Sequence, residues 1–184
     1  MHVIRAGDVR VAYPLFQAEG GGSNPTSALL LRFDAIDRRT MEQLNRKWHS
    51  RLPKFRTATR CRVYYSAEFD GLFYAVAAWS HPVARMLPND WLELRRLAIA
   101  DDAPKNTASR FLGWMVRDIR NRFPKVPRLI SYQDCDAHSG TIYKASGWAE
   151  TNVDRGGEWS RPSRFRETVQ SGSKKKRWEL DLSR

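Results

Sequence analysis

The sequence predicts an α/β (α+β) protein, a mixed central β-sheet flanked by helices on both faces. Three observations lead there. β-Branched and aromatic runs recur at 60–69, 71–80, 91–100 and 128–134. The first two meet at Asp70-Gly71, a dipeptide favoured in tight hairpin turns. Between the other runs lie stretches whose apolar residues return every three or four positions, the period of a half-buried helix.

Each element follows in chain order. "GGGSNP" at 20–25 reads as a flexible junction, and "SALLLRFDA" as a short apolar strand. Met41, Leu44 and Trp48 form an apolar stripe that predicts a helix from Met41 to about Arg51, with Thr40 as N-cap and Pro53 as stop. The hairpin comes next, and then "WLELRRLAIA", apolar enough for a central strand. Ala108, Phe111, Leu112, Met115, Val116, Ile119 and Phe123 share one face of a long helix that Pro124 ends. "RLISYQD" is a strand ending at Asp134, His138 to about Ser146 a short helix closed by Gly147, and "WAETNV" a further strand. The expected organisation is an N-terminal extension (1–25), one folded domain (26–160) and a basic C-terminal arm (161–184) around "SGSKKKR".

Composition narrows the function classes. An apolar fraction of 41% with seven Trp fits a folded chain. Two cysteines, Cys61 and Cys135, are too few for a disulfide framework, and no apolar run is long enough to span a bilayer. A cytoplasmic protein without membrane contact is expected. The net charge of +12 favours a polyanionic partner. Between Arg38 and Arg62 nine basic residues face one acid, Glu42, which points to Arg46, Lys47 and Arg51 on the polar side of the first helix, and to Lys54 and Arg56 after it, as nucleic-acid contacts. Lys175, Lys176 and Arg177 extend that surface onto the expected arm.

Reactive side chains gather after the strand that ends at Asp134. Strand ends followed by a helix are where open α/β sheets hold ligands. Asp134 can act as a base or hold an arginine, Ser139 can cap the following helix, and Tyr143 can bring a phenol to the same cleft. Arg95 and Arg96 are adjacent in a central strand, so strict alternation sends one guanidinium to each face and calls for an acid or an anionic ligand, with Asp134 the candidate partner. His49 closes the first helix inside the basic segment. No His or Cys spacing marks a metal site. The loop "DDAPKNTAS" has no glycine to let backbone N–H groups approach a phosphate, leaving Lys105, Thr107 and Ser109 to contact a cofactor, and it argues mildly against tight diphosphate binding.

Four short motifs in fixed order, "WHSRLP", "LELRRLAI", "NTASRFL" and "SYQD…HSGTIYKASGW", resemble the family of the bacteriophage Mu DNA-modification protein Mom, from about Asn45 to Trp148. The resemblance implies a GNAT-like fold and conversion of adenine in DNA to N6-carbamoylmethyladenine, which protects phage or prophage DNA from restriction. It implies catalytic roles for His49, Arg96, Ser109, Asp134 and Tyr143. It also leaves acetyl-CoA or a related small donor, and an iron ion, as cofactor candidates. Two rival readings stand beside it: a GNAT-type N-acetyltransferase acting on a small amine or protein, and a DNA-binding protein without catalysis.

Overall fold

The computed structural model describes residues 24–49, 51–55, 61–154 and 173–183. Seven strands are β1 (Arg32–Ala35), β2 (Cys61–Phe69), β3 (Leu72–Ser80), β4 (Leu92–Ile99), β5 (Arg128–Asp134), β6 (Ala149–Asp154) and β7 (Lys175–Asp181). They form one sheet in the order β1-β2-β3-β4-β5-β7-β6, in which β4 and β5 are parallel and the other neighbours antiparallel. Helices α1 (Arg38–Trp48), α2 (Thr107–Arg122) and α3 (Thr141–Ala145) complete the fold.

The two sheet faces have separate cores. Phe111, Leu112, Met115 and Ile119 of α2, all fully buried, pack with Tyr143 of α3 on Leu92, Leu94, Leu129 and Trp178. On the other face Met41 and Leu44 of α1 cover Val76, Ala78 and Ala98. Helix α1 makes its sheet contacts with β2, β3 and β4. The expected mixed sheet with helices on both faces is therefore what the chain forms.

Local chemistry explains the boundaries. Asp70 and Gly71 both adopt positive φ (49° and 76°), which a two-residue hairpin turn between twisted strands requires. Helix α1 begins earlier than its apolar stripe suggests, because Asp37 is the N-cap and accepts from the Thr40 N–H at 2.9 Å. The "SALLLRFDA" run is split: Ala28–Leu30 form a 3₁₀ turn and only Arg32–Ala35 a strand.

The largest departure lies at the C-terminus. Lys175–Asp181, expected within a basic arm, is inserted between β5 and β6 as an interior strand. Its alternation explains this: Trp178 is buried against Tyr143 and Leu180 packs on the same core, while Arg177 and Glu179 pair with each other at 2.8 Å on the opposite face.

Candidate active site

Parallel β4 and β5 are in register at Leu92–Leu129, Glu93–Ile130 and Leu94–Ser131, and their pairing stops there. Beyond that point β4 continues on β3, with Arg96 opposite Ala78, and β5 continues on β7, with Tyr132 opposite Arg177. Arg95–Ile99 and Tyr132–Asp134 are thus no longer hydrogen-bonded to each other. A cleft opens at the carboxyl ends of the two strands, with Ser131 at its apex.

An irregularity in β4 furnishes one wall. The register shifts between Ala78 and Trp79, so that Arg96 opposes Ala78 while Leu94 opposes Trp79, and Arg95 is the extra residue of a bulge. Strict alternation fails here. Arg95 donates to Glu93 at 2.6 Å, and Arg96 lies 5.3 Å over the Phe55 ring, which belongs to the core beneath α1. Both guanidiniums lie on the α1 face, instead of one on each as alternation predicts.

Arg96 donates to the carbonyls of Arg95 (2.7 Å) and Lys54 (3.5 Å), and forms no ion pair with a described residue. The expected Asp134–Arg96 pair is not formed. Burial, followed by the charge of Arg95, pulls Arg96 down to about 10. Nε of both arginines is buried without a hydrogen-bond partner. A half-buried cation with only carbonyl partners favours an incoming anion.

His49 is the C-cap of α1 and faces the same region. Burial, followed by the charges of Arg96 and His138, lowers its pKa from 6.5 to about 4, so the ring is neutral at physiological pH. Its Nδ1 accepts from the Leu52 N–H at 3.2 Å, which leaves Nε2–H as a hydrogen-bond donor. Asn45 supports this corner: its side-chain amide donates to the carbonyls of Leu52 (3.0 Å) and Pro53 (3.2 Å).

His138 arrives from the turn after β5, where the Asp134 carbonyl accepts from the N–H groups of Ala137 (3.3 Å) and His138 (3.0 Å). The Asp134 carboxylate accepts from the Asp136 N–H at 3.1 Å. Gln133 bonds the His138 carbonyl and accepts from Trp178 Nε1 at 2.8 Å, linking this turn to the core.

Tyr143 occupies the other face. It is buried, its hydroxyl shares a 2.8 Å hydrogen bond with Ser131, and its ring stacks on Trp178 at 5.3 Å and meets Trp148 edge-on at 5.7 Å. Burial raises its pKa. Because Ser131 marks the apex, the phenol approaches the cleft from the α2 side while His49, Arg96 and His138 lie on the α1 side.

The residues expected around a cofactor lie at the start of α2. Thr107 Oγ1 donates to the Pro104 carbonyl at 2.7 Å, Ser109 Oγ to the Asn106 carbonyl at 3.1 Å, and Lys105 is exposed. The Ser109 carbonyl accepts from Ser146 at 3.3 Å, which ties α2 to α3. Asn106 takes the left-handed conformation (φ 67°) without a side-chain cap bond. With both hydroxyls held by local carbonyls and no glycine in the loop, these residues do not fit a tight diphosphate cradle. Nor do the described His, Cys, Asp and Glu side chains supply a group of three that could hold a metal ion.

Among the expected DNA contacts, Arg46, Lys47, Arg51 and Lys54 are exposed around the His49 corner, and Arg56 lies outside the described residues. Lys175, Lys176 and Arg177 are strand residues; Lys176 pairs with Glu150 at 2.9 Å. Among the described residues no helix is long and apolar enough to cross a membrane.

Sequence reasoning missed Phe55, Glu93, Ser131, Tyr132 and Trp178. Ser131 and Tyr132 were within reach, since alternate residues of "SYQD" address opposite faces; the pairing that makes Ser131 an apex residue is visible only in three dimensions.

The sequence matches the model of the Mom protein family over residues 30–178, and no curated protein matches it. The fold is that of acetyltransferases. It is similar to the ribosomal-protein-S18-alanine N-acetyltransferase of Escherichia coli (TM-score 0.57, 14% identity, 84% of this chain and 95% of that one). It is also similar to a Bacillus subtilis acetyltransferase in complex with CoA (0.56, 14%, 82% and 98%) and to a Vibrio cholerae spermidine/spermine N-acetyltransferase (0.58, 10%, 85% and 95%).

Proposed function

Because the chain belongs to the Mom protein family, we propose that it is a DNA-modifying transferase that converts adenine to N6-carbamoylmethyladenine and so shields phage or prophage DNA from restriction. The observation that carries the reading is the gathering of His49, Arg96 and His138 at the mouth of the β4–β5 cleft, beside the exposed Arg46, Lys47, Arg51 and Lys54. Cations there suit a DNA backbone, and the cleft suits a base that has left its stack.

Each side chain has a role set by its surroundings. An exocyclic amine bonding to a new carbon must release a proton, and the Asp134 carboxylate at the end of β5 is the acceptor proposed. Neutral His49 donates through Nε2 to orient the base or the donor, since its other nitrogen is engaged by Leu52. Arg96 receives an anionic group, and Tyr143 steadies the apex through Ser131 and delivers a proton to the departing group. Ser109 holds the α2 end of the cleft. No step is assigned to a metal or to a CoA diphosphate.

Mass spectrometry of nucleosides from DNA of expressing cells tests the reading. The wild type yields the modified adenine and Asp134→Asn does not. Unmodified adenine under confirmed expression of folded protein would overturn it.

A further inference from the structure

Beyond β4 the α1 face of the sheet carries a charged strip in which Glu93 and Glu179 are buried, and one partly exposed aromatic ring lies on it. Tyr132 is 37% exposed and is the only aromatic residue in the exposed class among the described residues. It sits one residue past the cleft apex, next to Ser131 on one side and two residues from Asp134 on the other.

Its neighbours are charged. Tyr132 lies opposite Arg177 in the β5–β7 ladder, and its hydroxyl interacts electrostatically with Arg177, Glu93 and Glu179. Glu93 in turn holds Arg95 at 2.6 Å, and Arg95 adjoins Arg96 within the bulge. Glu179 is engaged three times, by Arg177 (2.8 Å), Arg128 (3.0 Å) and Thr151 (3.0 Å). The acids on this strip are therefore occupied by cations, whereas Arg96 pairs with no acid among the described residues. A partly exposed ring on the strand next to a guanidinium that forms no ion pair with a described residue matches what single-stranded nucleic acid offers: a π-face and a phosphate.

We propose that this strip is a nucleotide subsite, in which Tyr132 stacks on a nucleobase of an unpaired DNA strand and Arg96 takes the phosphate beside it. The inference rests on the DNA reading above and adds to it the surface that receives the displaced nucleotide. Stacking tolerates any base, so the subsite accepts sequence variation that the chemistry at the cleft does not.

The experiment uses the full chain and a short single-stranded oligodeoxynucleotide carrying 2-aminopurine, whose fluorescence falls on stacking. Tyr132→Phe retains both affinity and quenching. Tyr132→Ala weakens binding about tenfold and removes the protein-dependent quenching. Arg96→Gln lowers the slope of log affinity against log salt by about 0.7, one phosphate of a single strand. Thermal melts confirm that the variants fold, and Tyr132→Phe serves as the folded reference if Tyr132→Ala does not.

Loss of affinity and quenching in Tyr132→Phe comparable to that in Tyr132→Ala, undiminished affinity and quenching in a folded Tyr132→Ala, or absence of binding by the wild type would each overturn the subsite. These readouts are independent of group transfer. Tyr132-dependent quenching without modified nucleoside would overturn the transfer and leave the subsite standing; wild-type modification by Tyr132→Ala with unchanged quenching would do the reverse.

Discussion

The main-chain N–H of Leu52 donates to Nδ1 of His49 across 3.2 Å, and that one bond decides which nitrogen of the imidazole faces the cleft with a proton. Burial of the same ring, followed by the charges of Arg96 and His138, couples it to stability. An unfolded imidazole takes a proton below about 6.5, whereas the folded ring resists until about 4. Between these limits the unfolded state binds more protons, so stability falls as pH falls. The wild type should lose on the order of 1–2 kcal/mol across this window, allowing for solvent screening, and His49→Gln should flatten the dependence. Urea titrations at several pH values between 4 and 7 measure both.

Tyr143 offers a separation of packing from proton chemistry. Tyr143→Phe keeps the stack on Trp178 but leaves the Ser131 hydroxyl without its partner, and should cost about 1–2 kcal/mol. Tyr143→Ala empties an aromatic site and should cost about 3–5 kcal/mol. A folded Tyr143→Phe with modification reduced by a factor of 10² or more assigns the phenol a chemical role. A loss no greater than its loss of stability assigns it packing alone.

Gly140→Ala should disable the turn that carries His138. The residue has φ 76°, and an added Cβ would collide with the Gln133 side chain and lie 2.8 Å from Trp178. Strain and clash together should exceed about 2 kcal/mol. Near-ultraviolet circular dichroism should report disturbance around Trp178, alongside lower activity.

The α1 corner should contribute affinity without discrimination. Arg46→Gln, Lys47→Gln, Arg51→Gln and Lys54→Gln should each weaken duplex binding similarly for all sequences, lowering the salt slope by up to about 0.9 per lost phosphate contact. Fluorescence anisotropy at several salt concentrations reads the slope. A sequence-dependent effect would instead mean a base contact.

Glu93 holds Arg95 at 2.6 Å and accepts from the Val83 N–H at 3.1 Å. Glu93→Gln should lower stability by about 1–3 kcal/mol, because it leaves Arg95 uncompensated, and should raise affinity for single-stranded DNA through the freed charge. Melting temperature and binding in the same buffer must move in these opposite directions.

Periodicity and turn chemistry made most of the scaffold legible. The apolar face of α2 and the Asp70-Gly71 hairpin are local signals, and both are realised where the residues indicate. The end of β5 at Asp134 was equally readable. Arg95 and Arg96 were misassigned because a bulge interrupts period-two alternation, and no residue in "LELRRLAI" announces one. β7 was overlooked for a different reason: its charged residues suggested a solvated tail, although Trp178 and Leu180 at alternate positions carried the signature of a half-buried strand. Within the site, the cluster after β5 was visible, but the assignment of Tyr143 and His49 to opposite faces depends on pairing between distant segments.

The insertion of β7 between β5 and β6 also has a bearing on biosynthesis. Spatial order is not synthetic order here: a nascent chain that has emerged only through β6 still lacks the strand that joins β6 to β5 and the indole that supports Tyr143. Assembly of the β5–β6 half of the sheet must await Lys175–Asp181, so a ribosome that stalls before Lys175 releases an exposed strand edge prone to aggregation.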